Sequence, residues 1–537
     1  MSFLNNSKKN NWFGSKSFSV ILIVVIVAVF CLVNFLNIND YGQTWDEDLH
    51  YRSGEQNRNI FQGESHIEEI ELFGNMRFYG PLGDMIGDIF WELFTKRLGV
   101  LFFVPAHHIH LILFGAVTLM TVFFLARVTL GLRAAVFSAV FLMAFPRFIG
   151  DMQVNMKATP LVALFTLTIF LFYLAVKRRR AWLFLLSGIT FGLAFAVGIS
   201  VLFVLPILAV WFLLAFRERI WGFFKSFGEN KRKVWSGFKQ WGWGLLSLPF
   251  VAFGTAAAFW PWVWSNPIFR MLEAIREVGG YEWLGNVWYQ GVVYKSVDLP
   301  WHYAPFMLFV VTPVIIIVFG GMGTFVACRN VKTLANDGSI LYLVWFWLPL
   351  VLIVILHINV YDGIRHFVFI VPALALLAGM GADWLYRFIG EKTLIKTWRR
   401  WLYVVLTIVI VFFTGRVFYQ MAVIHPYELY YFNDLIGGMR GAYRYVEVGY
   451  WGQEFKQGAE WVNGHIEEGA KIAVMPTPKM AENYLRPDIK LIRENENDPN
   501  YVIYVTKAAY DPFKGGKVIY TLLVDGAPLL RVKEISN

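Results

Sequence analysis

Cysteine is nearly absent: Cys31 lies inside an apolar run and Cys328 in a basic loop, and two so placed exclude a disulfide framework. Charge is scarce too, because 16% Asp, Glu, Lys and Arg against roughly 25% in a soluble domain excludes a water-soluble globule, a disordered chain and a coiled coil. The chain has no internal repeat, no low-complexity tract, and neither a G-x-x-x-x-G-K-S/T nor a C-x-x-C motif, so nothing points to ATP hydrolysis or zinc-finger chemistry. What it has is apolar: 57% of the 537 residues are hydrophobic and 18% aromatic. The formal charge of +10, from 48 Lys and Arg against 38 Asp and Glu, would suggest nucleic acid on a soluble surface. Here the basic residues fall between apolar runs, and no nucleic-acid partner is expected.

A helix needs about 20 mainly apolar residues to cross the hydrocarbon core. Eleven segments come near that length, at about 18–37, 108–127, 134–150, 160–176, 181–198, 200–216, 241–260, 303–320, 339–356, 366–385 and 401–420. They predict a polytopic α-helical membrane protein. The first segment follows Lys8, Lys9 and Lys16 like a signal peptide, but it is too long and lacks a small-residue cleavage site after Leu36, so an uncleaved span is expected. Lys and Arg are retained in cytoplasmic loops. Lys177 to Arg180, the loop from Arg217 to Lys239, Arg329 with Lys332, and Arg387 to Arg400 then share the cytoplasmic side with the N-terminus. Eleven crossings leave the C-terminus outside. The short pair 181–198 and 200–216 is the weak point, although basic loops on both flanks demand zero or two crossings there.

Two wet insertions remain: the first outer loop, about 38–107, and the tail, about 421–537, which divides the chain into a membrane domain (1–420) and a C-terminal domain. In the loop, Glu47–Phe61 and Leu82–Leu98 have helical periodicity, the second with Met85, Ile86, Ile89, Phe90 and Leu93 on one face. Helices of this kind lie in the membrane interface. The tail reads as a helix over about 453–468 followed by β-type runs at Lys471–Met475, Tyr501–Val505 and Val518–Val524, a small α/β domain.

Buried charges or Gly/Pro-broken helices near the midplane would mark a transporter, whereas here polar residues gather at the outer ends of spans. The sharpest cluster is Tyr41-Gly-Gln-Thr-Trp-Asp46-Glu47-Asp48-Leu-His50-Tyr51. Three consecutive acids at the membrane edge should raise at least one carboxyl pKa unless a cation or metal neutralises them, which suits a general base. The alternative is a solvated cap on a helix, with Asp46 or Asp48 as N-cap.

A span followed at once by an outer Asp-Glu pair resembles the lipid-carrier-dependent glycosyltransferases of the GT-C type, specifically the protein O-mannosyltransferase and aminoarabinose-transferase group (glycosyltransferase family 39). Other stretches look like that family's landmarks in order: Arg77-Phe-Tyr-Gly-Pro-Leu-Gly83, Pro146-Arg147-Phe-Ile-Gly150 with Asn155-Met-Lys157 in the second outer loop, Trp260 to Pro267, Leu299 to Pro305, Tyr361-Asp362-Gly-Ile-Arg365-His366, and His425-Pro-Tyr427 to Asn433. One departure is Ala158, where the family's N-x-K-D-x-P pattern has Asp, so that Asp151 is expected to supply the second acid or the first loop's acids act alone. The loop 261–301 is too short for the β-trefoil of the eukaryotic protein mannosyltransferases, which favours a prokaryotic cell membrane.

The resemblance implies a sugar donor on a polyprenyl or dolichyl phosphate and an acceptor hydroxyl on protein, lipid or glycan. Phosphate is a good leaving group, so one carboxylate base suffices for inverting attack and the two-carboxylate glycosidase rule need not apply. Asp46 is then the base, Glu47 its orienter or a metal ligand, and Asp151 the second acid. Arg365 and His366 suit the lipid phosphate, with His302, Lys295, Arg147 and Lys157 as lesser candidates. Each has a plainer reading: an ion pair with Asp362 for Arg365, a snorkelling lysine for Lys157, and an aromatic belt for His302 and for Trp260, Trp262 and Trp264. His107, His108 and His110 invite a metal reading without matched carboxylate spacing. A divalent ion is allowed, not required. The competing functions are a flippase or transporter of lipid-linked glycans and a non-catalytic scaffold.

Overall fold

A computed structural model describes residues 16–71, 74–226, 242–334, 336–393, 395–492, 499–506 and 515–535. Lys8, Lys9 and much of the basic loop before Lys239 lie outside them. The helices are α1 (Lys16–Leu36), α2 (Glu47–Gln62), α3 (Ile67–Glu71), α4 (Leu82–Trp91), α5 (Phe103–Thr129), α6 (Leu132–Met143), α7 (Pro146–Val154), α8 (Ala158–Arg178), α9 (Ala181–Phe195) and α10 (Val204–Ser226). Beyond these come α11 (Gly242–Ala258), α12 (Pro267–Gly279), α13 (Tyr303–Val311), α14 (Val314–Thr333), α15 (Asp337–Ile355), α16 (Val371–Lys392), α17 (Lys396–Ile424) and, in the tail, α18 (Phe455–His465).

Among the described residues, eight helices are long and apolar enough to cross a membrane, and nine if the bent pair α6–α7 counts as one span. The chain is a multi-pass membrane protein. Every one of the eleven expected segments contains helix, yet four are not the simple spans expected. The segment 134–150 breaks into α6 and α7 at an angle of 63°, with Pro146 starting the second helix where its missing N–H costs nothing. The segment 303–320 breaks at Pro313 after the extended Thr312, and the span proper is Val314–Thr333. At 15 and 17 residues, α9 and α11 are shorter than a full crossing.

The basic loops do gather at one end of the bundle. Lys177 bonds Asp337 at 2.8 Å, Arg217 bonds the Val331 carbonyl at 2.7 Å, and Arg387 bonds the Leu130 carbonyl at 2.9 Å. The acidic first loop is at the other end. There α2 and α4 pack on each other and α4 on α5. The apolar face expected of α4 is divided: Met85 points into the core while Ile89 and Leu93 stay exposed.

The tail's α18 forms as expected, with Phe455, Ala459 and Val462 buried. Its sheet has five strands in the order β4-β3-β5-β7-β6, where β3 (Lys471–Met475), β4 (Lys490–Ile492) and β5 (Tyr501–Val505) are parallel and β6 (Lys517–Val524) and β7 (Ala527–Glu534) close one edge antiparallel. Strand β7 was not expected, although Asp525-Gly526, both at positive φ, is a strong hairpin-turn signal. The tail seats directly on the first loop: Lys479 bonds Asp48 at 2.7 Å, Asn483 bonds Gln43 at 2.8 Å, and the Trp45 N–H bonds the Trp451 carbonyl at 3.2 Å.

Candidate active site

The three consecutive acids are pulled three ways. Asp46 precedes α2, but its side chain makes no capping bond. Its Oδ2 accepts from Arg365 Nη1 at 2.9 Å and from the Trp451 indole at 3.0 Å. Burial pushes its pKa up, but Arg365, the indole N–H and His50 more than offset that and hold it below the ordinary value. The neutralising cation is thus a residue of this chain. At 41% exposure, the Asp46 side chain is still open to an incoming molecule.

Glu47 does not orient Asp46, and this corrects the expected role. Its carboxylate turns into the bundle, accepting from the Thr44 N–H and hydroxyl at 3.1 and 2.9 Å, from the Tyr51 hydroxyl, and facing His108 Nε2 at 3.0 Å. This is half a capping box made from Thr44-x-x-Glu47, buried and structural. The histidines diverge: His107 Nδ1 and His110 Nδ1 bond the carbonyls of Phe103 and His107. Among the described residues no group of three or more His, Cys, Asp or Glu is placed to hold a metal ion. Asp48 pairs with Lys479 and Arg52.

Two arginines meet at the 361–366 stretch: Arg365, which holds Asp46, and Arg147, which approaches Gly363. Arg365 bonds Asp46 with one Nη and Asp362 with the other at 3.0 Å. Burial works against its charge, yet Asp362 and Asp46 raise its pKa. Its guanidinium lies between the rings of Tyr361 and Trp451, 5.2 and 5.3 Å away. Arg147 was expected in an outer loop; instead α7 is a helix whose nine residues are all buried. Its Nε donates to the Tyr431 carbonyl at 3.3 Å, its plane lies 4.9 Å from the Phe432 ring, and its two Nη atoms are buried without a hydrogen-bond partner. A buried cation with two unmatched donors is costly unless an anion completes it. Gly363 permits the approach, since a Cβ there would stand 2.6 Å from Arg147 Nη1 and the backbone has a φ of +71°. Asp151 sits one turn further along α7, buried, with its Oδ1 held by Asn155 Nδ2 at 2.8 Å.

The other expected residues are placed differently. His366 stands against Tyr361, ring centroids 4.5 Å apart, and burial with the neighbouring Arg365 lowers its pKa to about 3. A ring so shifted favours the neutral form, which would meet a phosphate as a hydrogen-bond donor rather than as a cation. Lys157 is neither a snorkelling lysine nor free for phosphate: it donates to the Gly80 carbonyl at 2.6 Å and to Asp84, wholly buried, at 2.9 Å. His302, immediately before α13, bonds the Tyr289 hydroxyl at 2.7 Å and so faces the hairpin of β1 (Asn286–Tyr289) and β2 (Val292–Lys295), whose last residue Lys295 is exposed. Trp260 and Trp262 are 1% exposed core residues rather than a belt, and only Trp264 faces outward. Sequence reasoning missed Trp451 and also Tyr450, whose ring lies 5.9 Å from the Arg147 guanidinium; the aromatic pair between Gly449 and Gly452 was the available signal.

Residues 80–227 match the family described as dolichyl-phosphate-mannose-protein mannosyltransferase. The stretch runs from the first loop through α10 and includes Arg147, Asp151 and Lys157. Among solved structures, the chain is similar to ArnT from Cupriavidus metallidurans bound to undecaprenyl phosphate: 14% identity, 96% of this chain and 98% of that one covered, TM-score 0.50. The fold is GT-C-like. The apo state of the same ArnT gives 14% identity, the same coverage and a TM-score of 0.51. The oligosaccharyltransferase AglB from Archaeoglobus fulgidus, in complex with an inhibitory peptide and a dolichol-phosphate, gives 14% identity over 95% of this chain and 62% of that one, TM-score 0.48. No curated protein matches the chain by sequence. In this GT-C-like fold the Asp46 cluster lies at the end of the bundle opposite the basic loops.

Proposed function

We propose that the chain is a glycosyltransferase that moves a sugar from a polyprenyl or dolichyl phosphate to an acceptor hydroxyl, with inversion, at the outer membrane face. The N-terminus is then cytoplasmic and the tail extracytoplasmic. The observation that carries this reading is the pairing of an accessible, ionised Asp46 with Arg365, beside a buried Arg147 whose Nη donors are unmatched. That ArnT is named as bound to undecaprenyl phosphate supports the same ligand class for this chain.

In the reaction Arg147 and Arg365 hold the donor phosphate. As Arg365 shifts part of its hydrogen bonding to the phosphate, Asp46 loses its strongest neutralising partner and becomes a better base. Asp46 takes the proton of the acceptor hydroxyl, the oxygen attacks the anomeric carbon, and the carbon–oxygen bond to phosphate breaks with its electrons on the departing oxygen. The arginines stabilise that charge without a proton donor. Asp151, one turn from Arg147, orients that helix face and is the remaining candidate for a second acid.

The experiment is transfer of radiolabelled sugar from a set of polyprenyl-phosphate sugars, wild type beside Asp46→Asn, with donor binding measured in both. A variant that binds donor but loses about 100-fold or more in rate supports a positioned base. Full activity in the variant overturns the site assignment, and absence of donor binding and turnover in the wild type overturns the function.

A further inference from the structure

Helices α1 and α17 are the least embedded spans, with 22% and 17% of their apolar windows buried against 72% for α5 and α8. Yet the segments leaving their ends build the site. Asp46 follows α1 within ten residues, and the segment after α17 supplies the Tyr431 carbonyl and Phe432 ring that seat Arg147. Weakly packed spans alone would leave those two segments free to drift relative to each other.

Two side chains join them directly, His425 and Tyr41, and His425 carries the ionic link. His425, the first residue after α17, has Nδ1 2.7 Å from Glu428 Oε1 and Nε2 3.1 Å from Asp40 Oδ2. The Tyr41 hydroxyl donates to the other Glu428 oxygen at 3.0 Å, and its ring meets His425 edge-on at 5.3 Å. Ionised carboxylates only accept, so both ring nitrogens carry hydrogen and the ring is an imidazolium. Burial opposes that charge, but Glu428 and Asp40 hold its pKa up at about 9. The groups facing it are Asp40, Tyr41 and Glu428, with Lys456 of α18 nearby on the Asn39 carbonyl and 3.8 Å from Glu460. From Glu428 the coupling continues by contact: Leu429 packs so closely on α7 that a Cβ on Gly150 would stand 2.3 Å from its backbone nitrogen. Gly150 lies between Arg147 and Asp151 on that helix.

We propose that His425 is a positioning residue, whose doubly bonded imidazolium ties the loop 40–47 bearing Asp46 to the segment 425–433 that seats Arg147, keeping base and phosphate-holding arginine in register. It rests on the proposed roles of Asp46 and Arg147, but the link itself is testable without turnover.

The test compares the full chain in detergent as wild type, His425→Ala and His425→Gln, by amide hydrogen exchange and by kcat and donor KM across about pH 6 to 10. In H425A, protection of 40–47 and 425–433 falls about tenfold or more while α5 and α16 keep theirs, and kcat falls more than donor KM changes. Glutamine offers two amide N–H groups to the two carboxylates and recovers most of the protection. Wild-type protection of both segments declines as pH rises past about 9, whereas that of H425Q does not. Wild-type protection and kcat in H425A overturn the proposal. If H425A unfolds, H425Q decides: flat protection to high pH supports the link, and a wild-type decline overturns it. If the wild type transfers no sugar, the function fails while the exchange result still decides the link.

Discussion

Arg365 and Asp46 are 319 positions apart in the chain, and Arg365 Nη1 stands 2.9 Å from Asp46 Oδ2. The arginine also holds Asp362, so it is shared between two carboxylates and reaches both through separate nitrogens. Replacing it with Lys keeps a charge but loses the fork. Arg365→Lys should lower kcat/KM by about tenfold and Arg365→Gln by about 100-fold or more, measured with a polyprenyl-phosphate sugar at saturating acceptor.

The same pair should set the acid limb of the rate, with Asp46 in its proposed role as base. Asp46 has its pKa lowered in the folded chain, so it is ionised throughout the neutral range, and its contribution to stability is present above the unfolded carboxyl pKa and lost as pH falls through the lowered one. In Arg365→Gln the largest opposing influence on burial is gone. The acid limb of kcat/KM should then move to higher pH; an unmoved limb would assign it to another group.

Arg147 is tested through its neighbour as well as directly. Arg147→Gln should weaken donor binding about 10-fold to 100-fold, the worth of one or two charge-assisted bonds. Gly363→Ala places a methyl 2.6 Å from Nη1 on a backbone of φ +71°, and should weaken donor binding in the same direction with Arg147 intact. Donor titration by calorimetry reads both, and unchanged affinity in both would remove Arg147 from the phosphate site.

Lys157 has a structural consequence instead. Its ammonium is the 2.9 Å partner of the wholly buried Asp84, which also faces His50 at 3.3 Å. Lys157→Ala leaves that buried carboxylate with His50 alone, a loss of up to about 3–5 kcal/mol for a broken buried pair, and adding Asp84→Asn should recover much of it. Thermal unfolding in detergent measures this. Donor affinity in the double variant should match the wild type, which separates Lys157 from the arginines.

Glu47→Gln separates the two neighbours of the acidic run. With Glu47 holding Thr44, Tyr51 and His108, the variant should lower thermal stability, while kcat falls far less than in Asp46→Asn. Equal losses of kcat would return Glu47 to the reaction.

Local and compositional features were legible without coordinates. The apolar runs predicted helices at all eleven places, because a membrane span must be long, apolar and internally hydrogen-bonded. Basic loops sorted to one end, and α18, β3 and β5 followed from periodicity over a few residues. Asp46 also stood out in the sequence, as an acid beside a span, and Arg147, Asp151 and Arg365 through the resemblance to a family's landmarks. Which charge answers which could not be read there. Asp46 and Glu47 are adjacent in the chain and face opposite ways on the first turn of α2; Lys157 and Arg147 lie ten residues apart, one paired with Asp84 and the other with its Nη atoms unmatched. The bend at Ala144–Phe145 turns the end of an expected span and the start of the loop after it into the buried helix α7. The folding of 425–451 over the first loop brings Trp451 to Asp46 and His425 to Asp40. Composition and period determined what kind of protein this is, since they fix what each segment can bury. The site was decided by tertiary packing, because a hydrogen bond between residues 319 apart depends on where four separate helix ends meet, and no local pattern encodes that.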